Sequence, residues 1–99
     1  MPTAKLIVDG GELDGSVFEL SDEETLIGRN PTTEVTLPDE NISREHALIV
    51  FDPDDGSYTL EDLQSTNGTK VNGKGIRSQP LSPGDEVQIG QTRFRFARE

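Results

Sequence analysis

Polar residues that could bind a small anion are concentrated in three short segments: residues 28–30, 41–46 and 62–73. Arg29 and Arg44 are two of only three basic residues in the first 62 positions, and Ser43 lies beside the second of them. A guanidinium group offers fixed N–H donors to phosphate oxygens, and a serine hydroxyl and loop amides add neutral donors. These residue types are therefore typical of a site that binds one phosphate group.

The parts of the common catalytic and metal sites are missing from the sequence. There is no Cys and His46 is the only histidine, so no group of zinc ligands is available. Neither a G-x-S-x-G elbow nor a G-x-x-x-x-G-K-[ST] loop occurs, and the acidic runs at 22–24 and 39–40 are typical of solvated loops. We expect no catalytic residue, no metal and no cofactor, although a carboxylate pair that only folding brings together stays open.

The charge of the chain argues against polyanionic partners. Its formal net charge is -10, whereas nucleic acids are bound mainly by neutralising phosphates. Residues 1–62 carry three basic and sixteen acidic side chains and residues 63–99 carry six and three, which leaves room for a small electropositive site. The acidic body is expected to favour ligands with basic flanks, through an attraction that salt screens.

No apolar run approaches the length of about 18 residues that a membrane-spanning helix needs. No basic start followed by an apolar stretch suggests export. We expect a cytoplasmic monomer that binds no nucleic acid and does not insert into membranes.

The apolar residues fall in short bursts between turn residues, and not at helical spacing. The 99 residues have the length of one domain, 1–99, with a core at about 4–97. Many short strands with turn signals between them predict an all-β fold, an antiparallel β-sandwich whose end loops carry the binding groups. The predicted strands are Ala4–Asp9, Ser16–Leu20, Thr25–Gly28, Glu34–Leu37, His46–Phe51, Tyr58–Asp62, Thr69–Val71, Glu86–Ile89 and Thr92–Ala97.

Turn residues support these boundaries. Asp52–Gly56 predicts a hairpin loop, and its spacing does not fit a calcium-binding loop. Asn67–Gly68 and Asn72–Gly73 are Asn-Gly pairs, which are typical of hairpin turns. The alternation in Arg93–Ala97 predicts buried Phe and solvated Arg side chains on an edge strand.

Together, the three polar segments resemble the forkhead-associated (FHA) domain family. The family pattern of G-R, S-R-x-H and D-x-x-S-x-N-G-T-x-V-N-G occurs as Gly28-Arg29, Ser43 to His46, and Asp62 to Gly73, with every fixed position filled. The resemblance implies a sandwich of about eleven strands with the binding loops at one end. It also implies a module that binds phosphothreonine peptides.

The resemblance assigns direct contacts to five residues. Arg29 and Ser43 are expected to contact the phosphate, and Arg44 to reach the phosphate or the peptide main chain. Thr66 is expected to line the phosphothreonine side, and Asn67 to hydrogen-bond the peptide backbone.

Other residues are expected to support these contacts. In the family, glycine at position 28 lets the loop turn, His46 ties the binding loops together, and Ser65 and Gly68 shape the third segment. Purely structural interpretations stay open for the binding residues as well: Arg29 could pair with nearby acids, Ser43 could cap a turn, and Asn67–Gly68 could be only a hairpin turn.

Two positions bear on the preference for flanking residues. Asn41 lies where some family members place a basic residue that selects an acidic side chain, so a strong acidic preference is not expected. Lys70 alternates with Val71, which is compatible with flanking the phosphate or with facing solvent.

The implied function is a non-catalytic adaptor that binds a phosphothreonine-containing protein downstream of a Ser/Thr kinase. The alternative is a phosphorylation-independent assembly or regulatory domain that uses a side face of the same fold. Arg29, Ser43 and Asn67 favour the first interpretation, because the second needs none of them.

Overall fold

The computed structural model describes residues 4–11, 13–21 and 23–98. Eleven strands form in this part of the chain, and no helix does. They are β1 Ala4–Val8, β2 Val17–Glu19, β3 Glu24–Gly28, β4 Val35–Thr36, β5 Ala47–Asp52, β6 Ser57–Asp62, β7 Thr69–Val71, β8 Lys74–Ile76, β9 Ser78–Pro80, β10 Glu86–Ile89 and β11 Thr92–Arg98.

The strands form two sheets, which confirms the predicted all-β sandwich. One sheet has the order β2-β1-β11-β10-β7-β8 and the other has the order β4-β3-β5-β6-β9. All pairs are antiparallel except β3 with β4, which are parallel. The predicted antiparallel sandwich is confirmed, with one parallel pair where the chain crosses back through residues 29–34 before β4 begins.

Alternating side chains from both sheets fill the space between them. In β11 the two Phe side chains, Phe94 and Phe96, are fully buried, and Arg93 and Arg95 are exposed, as the sequence predicts. The strand itself is not at an edge, because β11 pairs with both β1 and β10. Buried and exposed side chains alternate in any strand that has one buried face, so the alternation does not show that a strand lies at an edge.

The structure contains two strands, β8 and β9, in addition to the nine that the apolar pattern predicts. β8 and β9 are three residues each, and β9 is exposed along its whole length. These strands pair through their backbones with β7 and β6, and Ile76 is the one side chain among them that packs against the core. An alternation rule therefore cannot find them.

Two of the three predicted hairpin turns form as expected, and the third does not. Asn72 and Gly73 both have positive φ, 51° and 83°, and they close the two-residue hairpin between β7 and β8. Asn67–Gly68 is not a hairpin turn, because β6 and β7 lie in different sheets. Asp52–Gly56 does connect the antiparallel pair β5 and β6, as predicted.

Strand register brings the three polar segments to one end of the sandwich. Ala47, at the start of β5, pairs with Ile27 near the end of β3 and with Asp62 at the end of β6. The loops at 29–34, 37–46 and 63–68 therefore leave neighbouring strands on the same side. We call this the site end, and the opposite end, with the turns at 53–56 and 72–73, the far end.

Candidate functional site

The first two loops of the site end pair through their backbones. The Arg29 N–H donates to the Ser43 carbonyl at 3.0 Å, and the Asn30 N–H donates to the Arg44 carbonyl at 3.1 Å. The Arg29 Nε–H also donates to the Ile42 carbonyl at 3.1 Å. Ile42 is buried in the core. Arg29 and Ser43 are thus held in a fixed relation although they are far apart in sequence.

Gly28 permits this pairing because it has no side chain. A Cβ atom at this position would overlap the Arg44 carbonyl group, which is backbone and cannot rotate away. Gly28 does not have a positive φ. Its role is the close approach of two backbones, and not the turn that the resemblance implies.

His46 joins the second loop to the third. It is fully buried, its Nδ1 accepts a hydrogen bond from the Ser43 N–H at 3.0 Å, and its Nε2 lies 2.8 Å from the Gly68 carbonyl. A carbonyl can only accept, so Nε2 carries the proton and Nδ1 does not. Both bonds together require the neutral ring in this one tautomer.

Asp62 organises the third loop from within. Its carboxylate accepts hydrogen bonds from the Ser65 N–H and hydroxyl and from the Thr69 hydroxyl. Ser65 Oγ then accepts from the Gly68 N–H at 3.0 Å. Partial burial raises the pKa of Asp62, but the hydrogen bonds from Ser65 and Thr69 together hold it below the ordinary value of 3.8.

Asp62 is the residue that sequence reasoning did not assign to the site. It stands in the family pattern, but the resemblance assigns it neither a ligand contact nor a supporting role. A carboxylate followed by Ser at the third position is a local signal for a side chain that hydrogen-bonds the loop after it. That spacing could have identified it.

The loops enclose a shallow depression on the surface. It is lined by Arg29, Asn30, Ser43, Arg44, Glu45 and Thr66. Four of the five residues expected to contact ligand are therefore brought together.

The donors in this depression are arranged around Ser43. The Thr66 N–H donates to Ser43 Oγ at 3.1 Å, across 23 positions of sequence. Since this bond uses the oxygen as an acceptor, the hydroxyl proton of Ser43 can be donated outward. Arg29 and Arg44 are exposed, so their charged groups are accessible, and Glu45 is the one acid at the rim.

The remaining predicted residues lie beside the depression. The Asn67 Nδ2 donates to the Asn41 carbonyl at 2.8 Å, which ties the third loop to the second. Lys70 does not line the depression. It is exposed between the buried residues Thr69 and Val71 and faces outward from the six-stranded sheet.

Within the described part of the chain, no group of three or more His, Cys, Asp or Glu side chains could hold a metal ion. Over the same residues, no helix is long and apolar enough to cross a membrane.

The fold and the loops define a β-sandwich that presents a small cationic site at one end. A family model described as the FHA domain matches residues 25–90, and the chain belongs to that family. The resemblance seen in the three polar segments is thereby confirmed.

Curated relatives extend the likeness over most of the chain. The oxoglutarate dehydrogenase inhibitor of Corynebacterium diphtheriae is 43% identical over 92% of this chain and 62% of its own length. The glycogen accumulation regulator GarA of Mycolicibacterium smegmatis is 40% identical over 95% of this chain and 58% of its own. The chain thus spans about three fifths of the length of these relatives.

Solved structures agree with the fold. A chain from a study of phosphothreonine-dependent FHA domain interactions superposes with a TM-score of 0.89 at 31% identity, over 98% of this chain and 97% of that one. The FhaA FHA domain, crystallised with the intracellular domain of Rv3910, gives a TM-score of 0.85 at 32% identity, over 94% and 98%.

Proposed function

We propose that this FHA domain binds phosphothreonine in a partner protein and acts as a non-catalytic adaptor downstream of a Ser/Thr kinase. One observation carries the proposal: Arg29, Ser43, Arg44 and Thr66 line a single depression. The related structure from work on phosphothreonine-dependent interactions supports it. The names of the curated relatives, an inhibitor and a regulator, support a role without catalysis.

The phosphate would sit between the two arginines and the Ser43 hydroxyl. A phosphothreonine carries a charge of about -1.5 to -2 and three strong acceptor oxygens. Arg29 and Ser43 contact the phosphate, and Arg44 contacts the phosphate or the peptide main chain. Thr66 lies against the phosphothreonine side chain.

Asn67 would contact the peptide backbone next to the phosphothreonine. Its Nδ2 is already used by the Asn41 carbonyl, so its Oδ1 is the atom that accepts a peptide N–H. The amide can make both bonds at once, because its oxygen and nitrogen act independently.

The proposal predicts dependence on the phosphate itself. A hydrogen bond to a charged group contributes about 1.5–3 kcal/mol, and each 1.4 kcal/mol is about a factor of ten. Two such bonds would give a discrimination of about a hundredfold or more. A Glu in place of the phosphothreonine has fewer oxygens and less charge, so it should mimic poorly.

The test is the binding of a degenerate peptide library with one fixed phosphothreonine, measured by fluorescence anisotropy. We expect the phosphothreonine library to bind, phosphoserine to bind more weakly, and the Thr and Glu libraries to show little binding. Arg29→Ala should reduce the affinity about a hundredfold. The matched control is Arg93→Ala, which removes an exposed arginine from the outer face of a sheet. Equal binding by Arg29→Ala and wild type would contradict the assignment of the site.

A second candidate function is regulation of a metabolic enzyme through direct, phosphate-independent binding. The relatives named as an oxoglutarate dehydrogenase inhibitor and a glycogen accumulation regulator favour a regulatory role, and such a role does not by itself require a phosphate group. Capture of partners before and after phosphatase treatment separates the two functions. Partners that survive the treatment would support the second, and their loss would support the first.

The proposal also covers the location, the oligomeric state and the domain organisation of the protein. We expect it to act in the cytoplasm, where it would meet kinase substrates, and as a monomer, because one depression is sufficient for one phosphothreonine. Strands from both ends of the described chain pair in one sheet, β1 with β11. This pairing supports the prediction that residues 1–99 form a single domain.

A further inference from the structure

A second concave surface lies beside the phosphate-binding depression. It is a groove of about 390 Å³, formed by the loops that follow β1, β4 and β10. Its lining includes Val8, Leu13, Pro38, Asp39, Glu40 and Asn41. The volume is within the range of about 300–1,000 Å³ of small ligand sites, so it can hold one long side chain.

The groove is continuous with the proposed binding site through Asn41. Asn41 lines the groove, and its carbonyl accepts the hydrogen bond from Asn67. Asn67 is the residue that we assign to the ligand backbone. A peptide held by Asn67 therefore has its flanking residues next to the groove.

One acidic group of the groove is fixed in place. Asp39 Oδ1 accepts from the Asn41 N–H at 2.8 Å and from its side-chain amide at 3.1 Å, and Asp39 Oδ2 accepts from the Gln91 N–H at 2.9 Å. Burial raises the pKa of Asp39, but the N–H groups of Asn41 and Gln91 together hold it below its ordinary value. Asp39 therefore stays charged at neutral pH.

The second acidic residue that lines the groove is not fixed in this way. Glu40 is exposed and makes no hydrogen bond within the described residues. None of the described residues that line the groove is basic. The groove thus combines a negative rim with apolar contacts from Val8, Leu13 and Pro38.

We infer that this groove accepts a lysine or arginine side chain that flanks the phosphothreonine of the ligand. Both side chains have an apolar stem and a cationic end. The stem would lie against Leu13 and Pro38, and the charged end would meet Glu40. This inference rests on the proposed function, and it makes the ligand a phosphopeptide with a basic flank.

The test uses a phosphothreonine peptide with alanine and serine flanks, and a series in which each flanking position is changed in turn to Arg or Glu. In wild type, we expect Arg at one position to raise the affinity about two- to fivefold at low salt, as expected for an exposed ion pair. Glu at that position should lower it. The difference should shrink as salt is added.

Two variants distinguish the groove from the general charge of the protein. Glu40→Arg should reverse the preference at that position, and Glu23→Gln, which removes an exposed charge at the far end, should leave the preference unchanged. Equal affinity for the Arg and Ala peptides, or a preference that Glu40→Arg retains, would overturn the inference alone. Failure of every phosphopeptide in the series to bind folded protein would contradict the proposed function as well.

Discussion

The β5–β6 turn at the far end and the loops of the site end are held in different ways. At the far end, the turn between β5 and β6 is closed by short-range bonds: the Asp54 N–H donates to Asp52 and the Ser57 N–H donates to Asp55, each across two positions. Only Arg98 reaches this turn from a distant part of the described chain, through the Gly56 carbonyl.

At the site end, the bonds that fix the loops span much longer stretches of sequence. Ser43 with Thr66, His46 with Gly68 and Asn67 with Asn41 are separated by 23, 22 and 26 positions. Each loop there is held by another loop, in addition to the short-range bonds within it. The binding residues are thus pre-organised by the fold, which reduces the entropy cost of ordering them around a ligand.

The largest expected difference between the ends is in the stability that is lost when a glycine is replaced by alanine. Gly28→Ala should lower the free energy of unfolding by about 3 kcal/mol, because its Cβ would meet the Arg44 backbone. Gly56→Ala should lower it by about 1 kcal/mol, since Gly56 has a φ of 73° but open space around it. Chemical denaturation of both variants, with phosphopeptide binding, measures the contrast. Equal losses of stability, or loss of binding in both, would show that the ends do not differ.

An intermediate effect is expected from the two carboxylates that stabilise turns. The pKa values of Asp62 and Asp55 are both held below 3.8: for Asp62 by hydrogen bonds that outweigh burial, and for Asp55 by hydrogen bonds from Ser57. A folded-state pKa below the unfolded one stabilises the fold above about pH 4, and this contribution is lost as pH falls through the folded value.

Asp62→Asn should therefore lower stability by about 1–2 kcal/mol at neutral pH, and it should flatten the fall in stability below pH 4. Asp55→Asn, at an exposed turn, should have a smaller effect and leave binding intact. Denaturation curves from pH 2 to pH 7 provide the measurement. If Asp55→Asn flattens the profile more than Asp62→Asn, the dominant role of Asp62 is wrong.

The smallest effects are expected from the substitution of two asparagines, one of which should change mainly the affinity and the other mainly the stability. Asn67→Ala should weaken phosphopeptide binding about fivefold or more, since it removes a hydrogen bond of about 1 kcal/mol and loosens the loop. Its stability should change little, because Asn67 is exposed.

Asn72→Ala should show the opposite result. Asn72 has a φ of 51° and donates to Asp85 through its side chain, so alanine there should cost about 1 kcal/mol of stability. Its affinity for phosphopeptide should match wild type. Titration calorimetry and thermal unfolding of both variants would test the pair, and a loss of affinity in Asn72→Ala would argue against the separation.

The sequence predicted the structure best where neighbouring residues alone decide the local conformation. Buried and exposed positions alternate along β11 as predicted, and the Asn72–Gly73 hairpin follows from residues that tolerate positive φ. Prediction failed where pairing partners decide the structure. β9 is exposed along its length and is held by backbone bonds to its neighbour β6, so no apolar pattern marks it. Asn67–Gly68 has the residues of a hairpin turn, but it lies in a loop that connects two different sheets.

The sequence by itself determined the all-β class, the three polar segments and the family to which the chain belongs, because these depend on residue types and short spacings. Only the tertiary structure decided how Gly28 is used, which His46 tautomer joins the loops, and that Asp39 and Glu40 border a groove beside the site. Those features arise from contacts between loops that lie far apart in the chain. No local spacing encodes them, because strand register alone brings the loops together.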